Sequence, residues 1–297
     1  MGLSSLSSHS KIGLIILAVL LVAVMIALVW IVSFLIKLIS TSRSDDKSED
    51  DSPLFADVAY FFEKGARDRQ EDALYISHLD DYVDYGIIAC VSDGMGGLKF
   101  GSDISKMVID EVEKLFPMNF YNSEDNAEMI SKISNKVYGR YSRKGGATLV
   151  MVHVFKNKMQ FYSVGDSDII LIRNKVATVI NPKQNYSKIL IKNLTLEGKT
   201  TEEAYMNKKG RALVDFMGNN NIRVNFSQKP INLVDGDLII VCSDGVTDAI
   251  SVNSIQNLIG SNAKKTAENI KLTVRQKNFT RQDNYSGIVI QLNKYNY

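Results

Sequence analysis

Residues 85–97 read YGIIACVSDGMGG. An unbroken apolar run of this length suits a strand covered on both faces, because an amphipathic strand would alternate. The run ends on Ser92 and delivers Asp93 into a glycine loop. The same frame recurs in MQFYSVGD (159–166) and DLIIVCSD (237–244), which place Asp166 and Asp244 just past an apolar strand. Asp283 stands immediately before the closing strand NYSGIVIQLN (284–293). Glu71 and Asp72 end GARDRQED (65–72), just before the apolar ALYI. A single strand-end Asp-Gly is ordinary turn chemistry. Acids at five such places in order, with Arg67 beside them, point to something else. Strand ends of one sheet meet at a rim, so their carboxylates can be brought together.

Carboxylates gathered in one place repel unless something positive lies among them. Hard divalent cations, Mg²⁺ or Mn²⁺, are suited to this, since they take oxygen ligands, keep several waters and need few protein groups. The chain has only His9, His78 and His153, none beside these acids, which argues against a nitrogen- and sulfur-ligated zinc site. Glycine next to aspartate allows close backbone approach, so that a carbonyl can also be a ligand.

The rest of the chain frames this cluster. Its 297 residues are 45% apolar and 23% charged, an ordinary globular composition. A net charge of +2 gives no field directed at nucleic acid. No tandem repeat is visible. Cys90 and Cys242 lie inside apolar runs, which predicts buried free thiols in a reducing compartment rather than a disulfide. Residues 1–11 form a short N-terminal tail. Residues 12–36, IGLIILAVLLVAVMIALVWIVSFLI, carry no charge. They exceed the ~20 residues a helix needs to span a bilayer and the apolar core of a secretory signal, so a transmembrane helix is predicted. Lys11 precedes it and Lys37, Arg43 and Lys47 follow, a bias that places the C-terminal part in the cytoplasm. Residues 37–53 are polar and read as a linker. Residues 54–297 form one large domain. Further strands are predicted in GATLVMVHVF (146–155), DIILIRN (168–174) and KVATVIN (175–181), with hairpin loops at Asn157-Lys158 and Asn174-Lys175. Helical periodicity marks 102–116, 126–142 and 263–276. Consecutive strands with helices in blocks argue an α+β fold built on antiparallel sheets.

In order, GARDRQED (65–72), VSDGMGG (91–97), GATLV (146–150), VGDSD (164–168), CSDGVTD (242–248) and DNYSGIVI (283–290) resemble the successive motifs of the metal-dependent protein phosphatases, type 2C or PPM, in their bacterial branch. The resemblance covers about residues 56–293. It implies a β-sandwich of two antiparallel sheets flanked by helix pairs, with a binuclear Mn²⁺ or Mg²⁺ centre at one end. It further implies that Asp93 bridges both metals and Gly94 ligates through its carbonyl. Asp244 and Asp283 would hold one metal, and Glu71 or Asp72 the other through water. Asp166 would bind a third, weaker ion, and Arg67 the phosphate. The implied activity is hydrolysis of phosphoserine and phosphothreonine by water that the metals activate, with no covalent protein nucleophile, so Cys90 and Cys242 have no part in it.

The departures are as informative. Met95 stands where many eukaryotic members have a histidine that protonates the leaving group, and methionine has no proton to donate. Leu98 stands where bacterial members often have histidine, and Asp168 where an arginine often follows GDS. Segment 181–218 corresponds to the mobile flap of bacterial members, with Asn185-Tyr186-Ser187 in place of the usual Asp-His-Ser. None of these changes a predicted metal ligand. The expected partners are phosphoproteins, among them, by analogy, a serine/threonine kinase of the same membrane. The alternatives are a phosphatase-fold binding or regulatory module, which the complete ligand set disfavours, and a phosphatase for another phosphoester.

Overall fold

The computed structural model describes residues 17, 20, 21, 23–29, 31–33, 54–95, 100–142, 144–187, 190 and 212–294. The chain divides into two units, Met1–Asp51 and Ser52–Tyr297. In the first, the described residues between 17 and 33 are helical, with their apolar side chains exposed. The expected span 12–36 lies partly outside the described residues. Among those described, no helix is long and apolar enough to cross a membrane.

The second unit is an antiparallel sandwich, as expected. One sheet contains β1 (Leu54–Glu63), β6 (Asp168–Arg173), β7 (Val176–Val179), β10 (Leu238–Cys242) and β11 (Tyr285–Lys294), in the order β1-β11-β10-β6-β7. The other contains β2 (Asp72–Ile76), β3 (Ile87–Asp93), β4 (Leu149–Phe155), β5 (Lys158–Val164) and β8 (Asn225–Phe226), in that order, with β9 (Ile231–Asn232) also pairing β5. No expectation attached to residues 54–63, where β1 forms. Its apolar and polar residues do not alternate cleanly, and it is held at the sheet edge by a ten-residue register with β11.

The continuous apolar runs are explained by three apolar layers. Ile87, Ala89 and Val91 of β3 face the other sheet, packing with Val150 and Val152 of β4, Ile239 and Val241 of β10, and Ile288 and Ile290 of β11. The alternate residues Ile88 and Cys90 face outward onto helices α1 (Gly101–Glu113) and α2 (Ser123–Tyr141), against Ile104, Val108, Ile130 and Val137. On the opposite side, Ile170, Ile240, Cys242 and Val289 lie under helix α3 (Ala263–Gln276), against Ala267, Ile270 and Val274. Each such aliphatic side chain, fully buried, contributes about 1.5–3 kcal/mol. Helix α3 has its predicted limits, with the Asn262 side chain capping it by accepting from the Lys265 N–H at 2.8 Å. Helix α2 begins three residues before the prediction. It ends at Ser142 in a left-handed conformation.

The hairpin at Asn174-Lys175 forms as read, with φ of +51° and +62° at its two loop residues. The preceding hairpin is shifted by one residue. Lys158 is already in β5, and the loop is Lys156-Asn157 with Lys156 at φ +54°. Tertiary contacts favour that placement, since Asn157 accepts the Leu54 N–H on its side chain and the Leu233 N–H on its carbonyl. Cys90 and Cys242 are buried free thiols, as predicted.

Candidate active site

The parity of the strands builds the site. Asp93 is two residues beyond Val91, so it continues the inward face of β3 at its end. Asp72 is its direct cross-strand partner on β2 and shares that face. Ser243 follows Val241 in the same way, Ser286 precedes Ile288, and Thr148 precedes Val150. The inter-sheet layer therefore changes along the sandwich from aliphatic side chains to hydroxyls to carboxylates. The hydroxyl layer is closely knit. Ser243 Oγ donates to Asp72 Oδ2 at 2.9 Å, Thr148 Oγ1 accepts the Asp93 N–H at 3.0 Å, and Thr148 and Ser167 hydroxyls lie 2.7 Å apart.

The carboxylates act on one another. Burial, then the charges of Asp72 and Asp244, push the Asp93 carboxyl well above its usual range. Burial raises Asp72 to about 6, with the Ser286 and Ser243 hydroxyls offsetting only part of the effect. Burial, followed by Asp166 and Asp248, raises Asp244 to about 7. Burial also raises Glu71, although Arg67 opposes it. The sequence placed these acids at strand ends, and the structure brings Asp72, Asp93, Asp244 and Asp283 within each other's electrostatic reach.

Glycines let the surrounding loops close. A Cβ on Gly94 would lie 2.5 Å from the Gly101 carbonyl and 2.6 Å from that of Glu71, whose oxygen accepts the Gly94 N–H at 3.0 Å. A Cβ on Gly245 would be 2.0 Å from the Asn284 oxygen. Asn284 was not singled out in the sequence, yet it staples the arginine loop. Its side chain accepts the Glu71 N–H at 2.8 Å and donates to the carbonyls of Lys64 and Arg69. The available signal was its place directly after Asp283.

Arg67 donates to Asp283 Oδ2 at 2.5 Å, with both side chains about two-fifths exposed. Arg67 thus pairs with an acid 216 residues away rather than with its chain neighbours Asp68 or Asp72. Asp166, at the turn after β5, is raised by burial, against the lowering influence of Lys183 and Asn185. Asp168 is 1% exposed and accepts on Oδ2 from Lys183 Nζ at 2.9 Å and from Thr247 Oγ1 at 2.6 Å. Burial alone would lower the Lys183 amine, but Asp168, Asp166 and Asp244 outweigh it and hold it above the usual lysine value. Lys183 had no flag in the sequence, because its partners are distant in the chain.

Met95 lies beside Gly146, donating its N–H to that carbonyl at 2.9 Å. No histidine replaces its missing proton among the described residues. His153 is five residues along β4 from Thr148, buried and bonded to the Tyr85 carbonyl, and His78 follows the far end of β2. Leu98 and most of segment 181–218 lie outside the described residues. The ends of the flap segment are anchored, with Asn185 Nδ2 3.4 Å from Asp166 Oδ2 and the Tyr186 N–H donating to the Ala212 carbonyl.

The arrangement suits hydrated divalent cations. Among the described residues no three His, Cys, Asp or Glu side chains are gathered closely enough to hold a metal ion by themselves. Asp72 Oδ1 is buried without a hydrogen-bond partner, and the strongest charges acting on Asp93 are other carboxylates. A spaced set of mutually repelling acids with a spare buried oxygen fits cations that retain part of their water shell.

Known proteins agree with this frame. The family described as protein phosphatase 2C matches residues 66–275. Protein phosphatase PhpP of Streptococcus pneumoniae serotype 2 (strain D39 / NCTC 7466) is 23% identical over 236 residues, covering 72% of this chain and 92% of that protein. The serine/threonine phosphatase Stp1 of Staphylococcus aureus superposes with a TM-score of 0.68 at 23% identity, covering 80% of this chain and 95% of that one. The catalytic domain of the serine/threonine protein phosphatase PstP, in complex with two manganese ions, gives 0.65 at 21% identity, with coverages of 81% and 100%.

Proposed function

This chain belongs to the protein phosphatase 2C family, and from that premise we propose that it is a membrane-anchored, metal-dependent phosphatase acting on phosphoserine and phosphothreonine in proteins. The observation that carries the reading is the convergence of Asp72, Asp93, Asp244 and Asp283, from both sheets, on one end of the sandwich. Asp93, Asp244 and Asp283 would hold Mn²⁺ or Mg²⁺, with Glu71 or Asp72 completing the set and Gly94 offering its carbonyl. Bound there, such ions supply acidified water near neutral pH and neutralise charge on a phosphoryl group.

The chain's own residues do the rest. Ser243 orients Asp72, and Thr148 fixes the end of β3, so Asp93 is held by strand geometry rather than by a loop. Arg67 donates to Asp283 Oδ2, and the remaining N–H groups of its partly exposed planar fork would suit the oxygens of a phosphate held beside the cations. Met95 has no proton to give and His153 is bonded to the Tyr85 carbonyl, which leaves protonation of the leaving oxygen to a metal-bound water, another group of the site or solvent.

The membrane part rests on the uncharged run 12–36 and the exposed apolar helical residues within it. The Lys and Arg bias supports a cytoplasmic catalytic domain. Substrates are phosphoproteins, with a serine/threonine kinase of the same membrane as the candidate by analogy. The test is hydrolysis of an aryl phosphate and of a phosphothreonine peptide by the full chain in detergent. Turnover with Mn²⁺ or Mg²⁺ that EDTA abolishes is expected. A folded protein inactive with every divalent metal would sink the reading. Protease digestion of intact cells tests the topology, and cleavage of the domain from outside would refute a cytoplasmic placement.

A further inference from the structure

The family resemblance brings a third, weaker cation to Asp166, and this corner of the acidic cluster does not fit one. Asp168 is fully buried, and its Oδ2 is bonded by Lys183 Nζ at 2.9 Å and Thr247 Oγ1 at 2.6 Å. The Lys183 ammonium also acts on Asp166 and Asp244, the carboxylates that flank this corner. A fixed positive charge already lies among them.

The Lys183 side chain is partly exposed, but its ammonium is tied to the buried Asp168 and the backbone beside it is fixed. The next residue, Gln184, is bonded to Gly165 twice at 2.8 Å, from the Gly165 N–H to its Oε1 and from its own N–H to the Gly165 carbonyl. Its carbonyl in turn accepts the Val214 N–H at 2.8 Å. The backbone carrying Lys183 is thus pinned against the residue before Asp166. Withdrawing the ammonium would leave Asp168 buried with one oxygen already unpartnered and only Thr247 on the other, a costly state for a carboxylate.

We propose that Lys183 is this chain's own counter-cation for the Asp166, Asp168 and Asp244 corner and excludes a third divalent ion from it, so that the chain takes up two. The proposal rests on the reading of the acidic cluster as a two-cation site. It makes the Asp166 corner a permanent tether for the 181–187 segment rather than an exchangeable one.

Bound Mn²⁺ is counted by electron paramagnetic resonance of the free ion, titrated into the full chain in detergent up to millimolar concentration. The wild type is expected to take two ions and Asp166→Asn the same two. Lys183→Met is expected to gain a third, Lys183→Arg to stay at two, and Lys183→Met combined with Asp166→Asn to return to two. A third ion on the wild type that Asp166→Asn removes would overturn the proposal alone. So would a folded Lys183→Met, judged by circular dichroism, that still takes two. Should Lys183→Met fail to fold, the wild type and Asp166→Asn decide: an equal count of two supports the proposal, and loss of an ion in the variant overturns it. No Mn²⁺ uptake by the wild type would overturn the two-cation reading and this proposal with it.

Discussion

Two corners of one acidic cluster solve the same electrostatic problem differently. At the first, Asp72 and Asp93 face each other across β2 and β3 with hydroxyls beneath them and other carboxylates beside them, and their carboxyls rise accordingly. At the second, the buried Asp168 has a lysine bonded to it. One sandwich end thus has a corner that needs a cation from outside and a corner that brings its own. The difference lies in one partner, Lys183, fifteen residues along the chain. It teaches that an acidic cluster is not uniformly a metal site. Each carboxylate has to be judged by what already balances it.

Substitutions separate the two corners. The largest expected effect is at the first corner. Asp93→Asn should lower phosphatase turnover by on the order of 10²–10³-fold or more, as loss of a preorganised electrostatic partner does, with the far-ultraviolet spectrum unchanged. Asp168→Asn should retain measurable turnover and lose stability instead. If both variants lost activity alike, the two corners would not be distinct.

Metal removal comes next. With EDTA, the raised carboxyls of Asp72, about 6, and Asp244, about 7, bind protons in the folded state that the unfolded state, near 3.8, has released. Stability should therefore fall as pH rises from about 4 to 7. Melting at pH 5 and pH 7.5 should differ by several degrees in that direction, and saturating Mn²⁺ should remove the slope, since a cation on these carboxylates displaces the protons the folded state would otherwise bind. A metal-free melting temperature that held level or rose over this range would contradict the account of the raised carboxyls.

Gly94→Ala tests the tight approach beside Asp93. Its Cβ would meet the carbonyls of Gly101 and Glu71, for a cost of about 1–3 kcal/mol by chemical denaturation and a loss of turnover as Asp93 shifts. The smallest effect is expected from Thr148→Val, which removes the hydroxyl joined to the Asp93 N–H and Ser167. About 1–2 kcal/mol of stability should go, with a modest rise in the Mn²⁺ concentration needed for activity. An unchanged denaturation midpoint would mean that the hydroxyl layer is dispensable.

Much of this was legible before any coordinates. Residues 87–93 and 238–242 could be read as strands because they are apolar on both faces, and a pattern that is buried twice leaves a continuous run. Asp93 and Asp244 could be read because strand ends carry the chain to a rim. Leu54–Glu63 was not legible, since its mixed pattern acquires meaning only against β11. The hairpin after β4 was misplaced by one residue for a similar reason, as Asn157 is held by Leu54 and Leu233 from elsewhere in the chain.

Motif order carried the family and with it the two-sheet sandwich, and periodicity carried the antiparallel strands and the acids at their ends, because both are properties of neighbours along the chain. The tertiary structure alone decided which acids balance one another. It set Asp72 opposite Asp93, gave Arg67 to Asp283 rather than to Asp68, put a hydroxyl floor under the carboxylates, and bonded Lys183 to Asp168. Charge interactions depend on distance through space and on burial, and neither can be counted in residues.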